Sequence, residues 1–368
     1  MGLHPNGIRE FRGIVAVLLV VLTVIGAPVV VAVQQSGPAE SGSHEVSGGR
    51  KGAFLGGKET VYPDWFKDSF LDFSEDVREA ASQGKRVLLL FHQDNCPYCN
   101  ALIEKNLSQK PIETLLKSKF DVVALNMWGD REVVPIGGET FTEKKFAEAL
   151  KVQFTPTLIF LNEQGQTVLR LNGYLPPRKF RAALDYVAGK LEAEMPFRDY
   201  YAKQAKAAGK GGSTLHEEPF FARPPYDLHH TGGRPVAVFF EQRDCPACDR
   251  LHERVLADAT TRKLLKRYLN VQLDMWSDQP LVTPDGRQTT ARRWAKKLNV
   301  FYAPSILLFN EHGEEVIRAE AMFKRFHTQS LFDYVASGAY KQQPNFQRYI
   351  SDRADRIREQ GIDVNIWE

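Results

Sequence analysis

Four cysteines are the residues of this 368-residue chain whose type and spacing could do chemistry, and they form two Cys-x-x-Cys pairs. The first pair is Cys96 and Cys99, and the second is Cys245 and Cys248. The thiolate of such a pair attacks a disulfide sulfur, and the second thiol then resolves the mixed disulfide. We therefore predict thiol-disulfide exchange, with the first cysteine of each pair as the nucleophile and the second as the resolving thiol.

An apolar segment precedes each pair, at residues 87–91 and 236–240. Short runs of Val, Leu and Phe predict buried strands, and the polar residues that follow predict the strand end. Proline after the first cysteine suits the first position of a helix, where its missing N–H is not needed. Unpaired N–H groups and the helix dipole then favour the thiolate, whose pKa in such sites falls from about 8.5 to roughly 3.5–7.5.

Two other uses of the cysteines have to be considered. Four cysteines could bind zinc, but zinc ribbons usually place their pairs some 15 to 20 residues apart, whereas here a segment of domain length separates them. Each pair could also be a structural disulfide, but a ring closed over two residues constrains little of the unfolded chain. The predicted placement between a strand and a helix favours the redox interpretation.

A proline lies at the start of a second apolar run in each copy, in Thr155-Pro156 and Ala303-Pro304. Proline is tolerated best at the first residue of a strand, and a cis X-Pro bond would explain its position, with a trans turn as the alternative. Together with the cysteine turns, this pattern resembles the thioredoxin superfamily. The resemblance implies that all four residues contribute to a loop that packs against the cysteines and binds the client backbone by strand addition.

A narrower resemblance rests on the first copy. Asn126-Met-Trp-Gly-Asp130, the segment that follows it and Gly173-Tyr174 are similar to SoxW-type thioredoxins, which are extracytoplasmic proteins associated with sulfur metabolism. The similarity covers residues 60–195 and, more loosely, 234–340. It implies thiol redox work outside the cytoplasm.

The chain departs from the thioredoxin pattern in the residues that precede the cysteines. Thioredoxins carry a buried aspartate six residues before the nucleophile, where this chain has Leu90 and Phe239. His92 and Glu241, four residues before each nucleophile, could transfer the proton instead. Alternatively, both are solvated residues at the strand ends.

An uncharged apolar segment, residues 14–33, is long enough to cross a bilayer. Arg9 and Arg12 precede it, and the positive-inside rule would keep them in the cytoplasm and place the rest of the chain outside. A cleaved signal peptide ending at Ala32 is the alternative. In either case we expect the cysteines in the periplasm, on a protein of the inner membrane or one released from it.

The sequence divides into five segments. The Gly- and Ser-rich stretches predict flexible connections, and the repeated motifs predict two globular domains. The segments are a cytoplasmic tip and transmembrane anchor (1–33), a flexible linker (34–59), a first thioredoxin-like domain (60–208), a hinge (209–233) and a second thioredoxin-like domain (234–368). We thus predict an α/β fold with two tandem thioredoxin-like domains, each a central mixed sheet flanked by helices, after an N-terminal transmembrane helix.

Smaller elements can also be predicted. Phe66, Phe70 and Phe73 recur at helical spacing before the first catalytic strand, so they predict a helix. Gly137-Gly138 and Pro284-Asp285-Gly286 predict a small hairpin in each copy.

Composition gives no sign of another chemistry. There are 48 basic and 45 acidic residues, a net charge of +3, and no basic stripe interleaved with aromatics, so we expect no nucleic acid partner. No phosphate loop or His-Glu-x-x-His motif occurs, so we expect no metal and no cofactor other than the redox-active disulfides. The expected partners are client thiols or disulfides and a membrane electron donor or acceptor. We expect a reductase; an oxidase, an isomerase or a non-catalytic peptide-binding module are the alternatives.

Overall fold

The computed structural model describes residues 50–208, 214–321 and 323–368. The predicted anchor at residues 14–33, the cytoplasmic tip and most of the predicted linker lie outside these ranges. Within them, no helix combines the length and the apolar character needed to cross a bilayer. Residues from Gly49 onward form one compact unit, which contains both copies of the repeat.

The first copy alternates strands and helices. Its strands are β1 (Phe54–Leu55), β2 (Arg86–His92), β3 (Phe120–Asn126), β4 (Glu132–Val133), β5 (Phe141–Thr142), β6 (Thr157–Leu161) and β7 (Thr167–Asn172). Its helices are α1 (Phe73–Ser82), α2 (Pro97–Ala101), α3 (Lys110–Lys119), α4 (Glu143–Ala149), α5 (Pro177–Ala188) and α6 (Phe197–Ala208). A π-helical segment, Leu102–Leu107, continues α2, and a 3-10 turn, Leu191–Ala193, precedes α6.

The second copy repeats this order. Its strands are β8 (Tyr226–Asp227), β9 (Val236–Glu241), β10 (Leu269–Asp274), β11 (Pro280–Val282), β12 (Gln288–Thr290), β13 (Ser305–Phe309), β14 (Glu315–Ala319) and β15 (Val364–Asn365). Its helices are α7 (Pro246–Leu251), α8 (Ala259–Leu265), α9 (Ala291–Lys297), α10 (Arg325–Ala336) and α11 (Phe346–Glu359). His252–Leu256 is the matching π-helical segment and Ala339–Lys341 the matching 3-10 turn.

Each copy is built on a four-stranded mixed sheet, as predicted. The orders are β3-β2-β6-β7 and β10-β9-β13-β14. In each sheet the strand before the cysteines pairs in parallel with one neighbour and antiparallel with the other. These central strands, β2 and β9, are almost wholly apolar because helices cover both faces of the sheet. Each cysteine turn therefore follows the end of a buried central strand.

The predicted hairpins are present, as antiparallel pairs β4–β5 and β11–β12. The helix predicted from the phenylalanine spacing begins later than expected, at Phe73. The carboxylate of Asp72 accepts hydrogen bonds from two N–H groups of the first turn, so it caps the helix there. Phe66 and Phe70 both lie before this cap, so their inclusion in the helix was wrong, and Phe70 is 97% exposed.

The two segments predicted to be flexible, the linker and the hinge, are partly ordered. β1, at the end of the expected flexible linker, pairs in parallel with β15 near the C-terminus. Residues of the expected hinge pack on the second domain: Phe221 contacts the ring of Phe239, and β8 pairs with β11. Backbone pairing with β15 explains the order of β1, and pairing with β11 and the packing of Phe221 explain that of the hinge. The Gly and Ser content of these segments does not reveal such distant partners.

The two copies pack against each other through the first residues of α6 and α11. Phe197, at the start of α6, stacks edge-on against Phe301 of the second copy, and Phe346, at the start of α11, does the same against Phe154 of the first. Each closing helix therefore covers the loop before the other domain's cis-proline. The two contacts are similar but not strictly symmetric, because Phe301 matches Gln153 and Phe154 matches Tyr302 in the repeat.

Candidate active site

Each Cys-x-x-Cys pair lies at the start of a helix, α2 or α7, and each pair is joined as a disulfide. The first cysteine is the N-cap residue and proline follows at the first helical position. The N–H of Cys99 points at Cys96 Sγ over 3.1 Å, and the N–H of Cys248 points at Cys245 Sγ over the same distance. On reduction these donors would stabilise a thiolate at the first sulfur.

The peptide bonds Thr155–Pro156 and Ala303–Pro304 are cis in both copies, as the sequence predicted. Thr155 brings its hydroxyl within 3.4 Å of Cys96 Sγ and its carbonyl oxygen within 3.7 Å. Ala303 has no hydroxyl to offer the second site. Its carbonyl oxygen instead accepts a hydrogen bond from Lys179 Nζ of the first domain, at 3.4 Å.

The second domain covers the first site. Tyr98, between the cysteines, is 5% exposed, and its ring contacts the rings of Phe323, His327 and Trp367. Its hydroxyl accepts a hydrogen bond from the N–H of Lys324 at 2.9 Å. Burial raises the pKa of Tyr98, so the hydroxyl stays protonated at neutral pH.

What remains beside the first site is a cavity of about 320 Å³ between the domains. Cys96, only 2% exposed, lies on one wall, and α11 forms part of the opposite wall. A small disulfide fits such a space, whereas a folded protein does not reach the sulfur while the domains stay in contact.

The second site is more open. Ala247 replaces the tyrosine, and Cys245 is 7% exposed. A cavity of about 930 Å³ is lined by both cysteines of this pair and by Glu241 and His216. A second cavity is lined by Ala247 itself.

The two residues predicted for proton transfer have different surroundings. Glu241 is fully buried, so it is not a solvated strand-end residue. Its carboxylate lies 2.9 Å from His252 Nε2 and accepts a hydrogen bond from Gln272 at 3.1 Å. His92 has no such partner: its ring contacts Tyr62, its Nδ1 is buried without a hydrogen bond, and burial lowers its pKa to about 4. His92 is therefore neutral at physiological pH.

Sequence reasoning missed His252. Its two ring nitrogens face Glu241 and Glu218, the latter at 3.4 Å. Burial opposes protonation, but the hydrogen bonds and charges of both carboxylates outweigh it and raise the pKa of His252. The signal was its spacing: His252 comes one helical turn after Cys248, on the face that packs on the sheet.

In the described part of the chain, from residue 50 onward with its gaps, no group of three or more His, Cys, Asp or Glu side chains is arranged to hold a metal ion.

Comparison with known proteins identifies the repeat. A family model described as a thioredoxin-like domain matches residues 73–188 and again 228–336, which together make up more than half of the chain. No curated protein matches the chain significantly.

Solved structures similar to this chain are each about the size of one copy. A thioredoxin-fold protein from Helicobacter pylori is 24% identical over 34% of this chain and 81% of its own, with a TM-score of 0.30. The reduced periplasmic thioredoxin SoxS from Paracoccus pantotrophus is 26% identical over 30% and 100%, with a TM-score of 0.21. The C-terminal domain of DsbD from Neisseria meningitidis is 14% identical over 31% and 91%, with a TM-score of 0.24.

Proposed function

The chain belongs to the thioredoxin-like domain family, and on that premise we propose that it exchanges disulfides with client proteins through two Cys-x-x-Cys sites. Family, fold and cysteine pairs together support a redox enzyme in general. The observation that carries the specific proposal is the geometry shared by both copies. In each, the first cysteine caps a helix, an N–H points at its sulfur, and a cis-proline loop lies beside it.

The proposed reaction balances without a bound cofactor. The thiolate of Cys245 attacks one sulfur of a client disulfide, so that bond breaks, a mixed disulfide forms and the other client sulfur leaves as a thiolate. Cys248 then attacks Cys245 Sγ and releases the second client thiol. The client gains two electrons and two protons, and the protein pair ends as a disulfide. Cys96 and Cys99 would perform the same steps on any disulfide that reaches the first site.

The neighbours of the cysteines take supporting roles in this proposal. Thr155 and Pro156 at the first site, and Ala303 and Pro304 at the second, would align the client backbone beside the sulfur as an added strand. Glu241 would accept or return the proton of the resolving thiol, as its burial in the cavity of the second pair suggests. His92, whose pKa is lowered to about 4, would act as a weaker base at the first site.

We further propose a periplasmic, membrane-anchored reductase, in keeping with the SoxW-type resemblance. The apolar residues 14–33 after Arg9 and Arg12 support this topology. A periplasmic reductase needs electrons from a donor in the membrane, because the compartment itself is kept oxidising. Mass spectrometry of the mature N-terminus tests the anchor. An intact N-terminus in the membrane fraction is expected, and a mature chain that begins at Val33 would contradict it.

Trapping of clients tests the reaction. Replacing the resolving Cys248 by serine should leave client proteins joined to Cys245, visible as reductant-sensitive adducts on a non-reducing gel of membranes. Cys245→Ser is the matched control and should form none. If both variants give the same adducts, or if the adducts survive reductant, the proposed exchange is wrong.

A further inference from the structure

A cavity of about 510 Å³ lies along the second domain, beginning at Ala247 between the cysteines and at Pro304. Its apolar lining is formed by side chains of α7, its π-helical continuation, β13 and the segment before α10: Leu251, Val255, Ile306 and Phe323. Trp367 lines it near the C-terminus. We call this cavity the basic groove, for the reason that follows.

Arg250, Arg254 and Lys324 line the groove, and within the described part of the chain none has a carboxylate within 4.0 Å. Arg325, also in the lining, differs: it lies 3.5 Å from Asp258 and 3.7 Å from Glu368, the groove's one acidic residue. Three cations thus share an apolar cavity without a paired anion.

The cations affect one another. Partial burial, and then the positive charges of Arg254, Lys105 and Arg250, lower the pKa of Lys324. Burial and the charge of Arg250 likewise lower the pKa of Lys179, which reaches over from the first domain, to about 8. An anion in the groove would relieve this repulsion, and low-dielectric walls would strengthen its attraction.

We propose that the basic groove selects client segments that place an acidic side chain next to an apolar one. The proposal rests on the function proposed above and names the class of substrate for the second site. A polypeptide is the occupant we favour because the groove opens at the residue between the cysteines and at the cis-proline. A chain lying in the groove therefore passes Ala247, two residues after Cys245, and Pro304, with its apolar side chain on the lining and its carboxylate among the cations.

The first site lacks this device. Tyr98 stands where the second site has Ala247, and it fills the matching space with its ring. Ala101, at the position that matches Arg250, carries no charge, so of the two helix cations only the counterpart of Arg254, Lys105, is present. Selection for acidic segments is therefore expected at the second site alone.

The test is a binding measurement on the purified full-length protein. Rhodamine-labelled peptides of one length carry a Leu-Phe pair flanked by Glu, by Gln or by Lys, and fluorescence anisotropy gives each Kd at low and high salt. The variant Arg250→Glu/Arg254→Glu reverses two groove charges. The matched control Arg293→Glu/Lys263→Glu reverses two exposed cations outside the groove, on α9 and α8.

We expect the wild type and the control to bind the Glu peptide about tenfold more tightly than the Lys peptide at low salt, with a smaller ratio at high salt. The groove variant should invert the preference, and its gained affinity for the Lys peptide shows that it is folded. Equal affinities in the wild type, or a preference that survives charge reversal, would overturn the proposal. So would competition by inorganic phosphate equal to that of unlabelled Glu peptide, since the groove would then be a site for small anions.

Exchange with uncharged 2-hydroxyethyl disulfide, measured on the wild type, distinguishes failure of this inference from failure of the proposed function. If exchange occurs but no Glu preference is found, the inference fails and the proposed function stands. If the preference is found but exchange is absent, the groove binds acidic segments and the proposed oxidoreductase function fails.

Discussion

The two cysteine turns differ by a tyrosine and an alanine, and this difference separates a covered site from an accessible one. Tyr98 is held by a hydrogen bond from the Lys324 N–H and by three rings of the second domain. Ala247 offers only a methyl group, and one cavity is lined by Ala247 while another is lined by Cys245 and Cys248. Copies with the same backbone geometry can therefore meet very different partners.

The titratable side chains near the cysteines also differ between the two sites. Glu241 and His252 form a buried pair near the accessible site, with a carboxylate oxygen 2.9 Å from His252 Nε2. His92 near the covered site is neutral and has no hydrogen bond at Nδ1. The comparison suggests that the second site handles protons during exchange with large clients, and that the first exchanges with something small or with a partner that separates the domains.

Removing each cysteine pair should give the largest contrast. Cys245→Ser/Cys248→Ser should abolish exchange with a folded protein disulfide, because only the second site is accessible to it. Cys96→Ser/Cys99→Ser should retain most of this activity. Initial rates with a folded disulfide protein measure the contrast, and 2-hydroxyethyl disulfide serves as the control that reaches both sites. Equal losses in the two variants would remove the distinction between covered and accessible sites.

Truncating the tyrosine should uncover the first site. Tyr98→Ala removes a buried aromatic ring from the interface, and we expect a loss of about 3–5 kcal/mol in the free energy of unfolding. Alkylation of reduced Cys96 should become faster in a background without the second cysteine pair. Urea denaturation and timed iodoacetamide labelling measure the two effects. Tyr98→Phe, the control, loses only the hydroxyl and about 1 kcal/mol; unchanged labelling in Tyr98→Ala would show that the ring is not the cover.

The pH dependence of stability should have opposite signs at the two sites. Burial lowers the pKa of His327 to about 4 from the usual 6.5. Its neutral form is favoured by folding, so this stability is complete above pH 6.5 and declines as pH falls towards 4, by about 2–3 kcal/mol. The pKa of His252 is raised, so its contribution is complete below its unfolded-state pKa of about 6.5 and is lost as pH rises through the folded value.

Urea denaturation across this pH range checks the signs. His327→Gln should flatten the loss on the acid side, and His252→Gln should flatten the loss on the neutral-to-alkaline side. If both substitutions change the same side of the profile, the charge states assigned to the two histidines are wrong.

The smallest expected effect concerns the residue before each cis-proline. The hydroxyl of Thr155 lies 3.4 Å from Cys96 Sγ and can donate to a thiolate there. Losing one such bond, about 1.4 kcal/mol, should lower the reduction potential of the first pair by about 30 mV in Thr155→Ala. Ala303→Thr should raise the potential of the second pair. Redox titration of each variant in a background that lacks the other pair measures this, and a shift of the opposite sign would mean that the hydroxyl does not donate to the sulfur.

Local features of the fold could be predicted from the sequence because local chemistry determines them. Cysteine followed by proline at a strand end predicts a helix start, and Ala303-Pro304 predicts a cis bond at a strand entrance. The exceptions, Phe66 and Phe70, show the limit of periodicity. The spacing of phenylalanines suggests a helix through these positions, but the capping carboxylate of Asp72 decides where the helix begins.

The contacts between the domains could not be predicted in this way. Tyr98 meets Lys324 and Trp367, which lie far away in the sequence and have no pattern that ties them to the first cysteine turn. The same is true of the buried pair of Glu241 and His252: each alone resembles an ordinary polar residue, and only the structure shows that the two buried side chains are each other's hydrogen-bond partners.

The face-to-face packing of the two copies also bears on their history. Gly173 and Ala321 hold matching positions in the repeat, and a Cβ placed on Gly173 would lie 2.7 Å from that of Ala321. Residues that meet their own counterpart in this way mark the axis of a symmetric dimer. In a homodimer every substitution appears twice, so one site cannot close while its twin stays open. Joining two copies in one chain removes that constraint. Each cysteine turn can then change on its own, as the tyrosine of the first turn and the alanine of the second show.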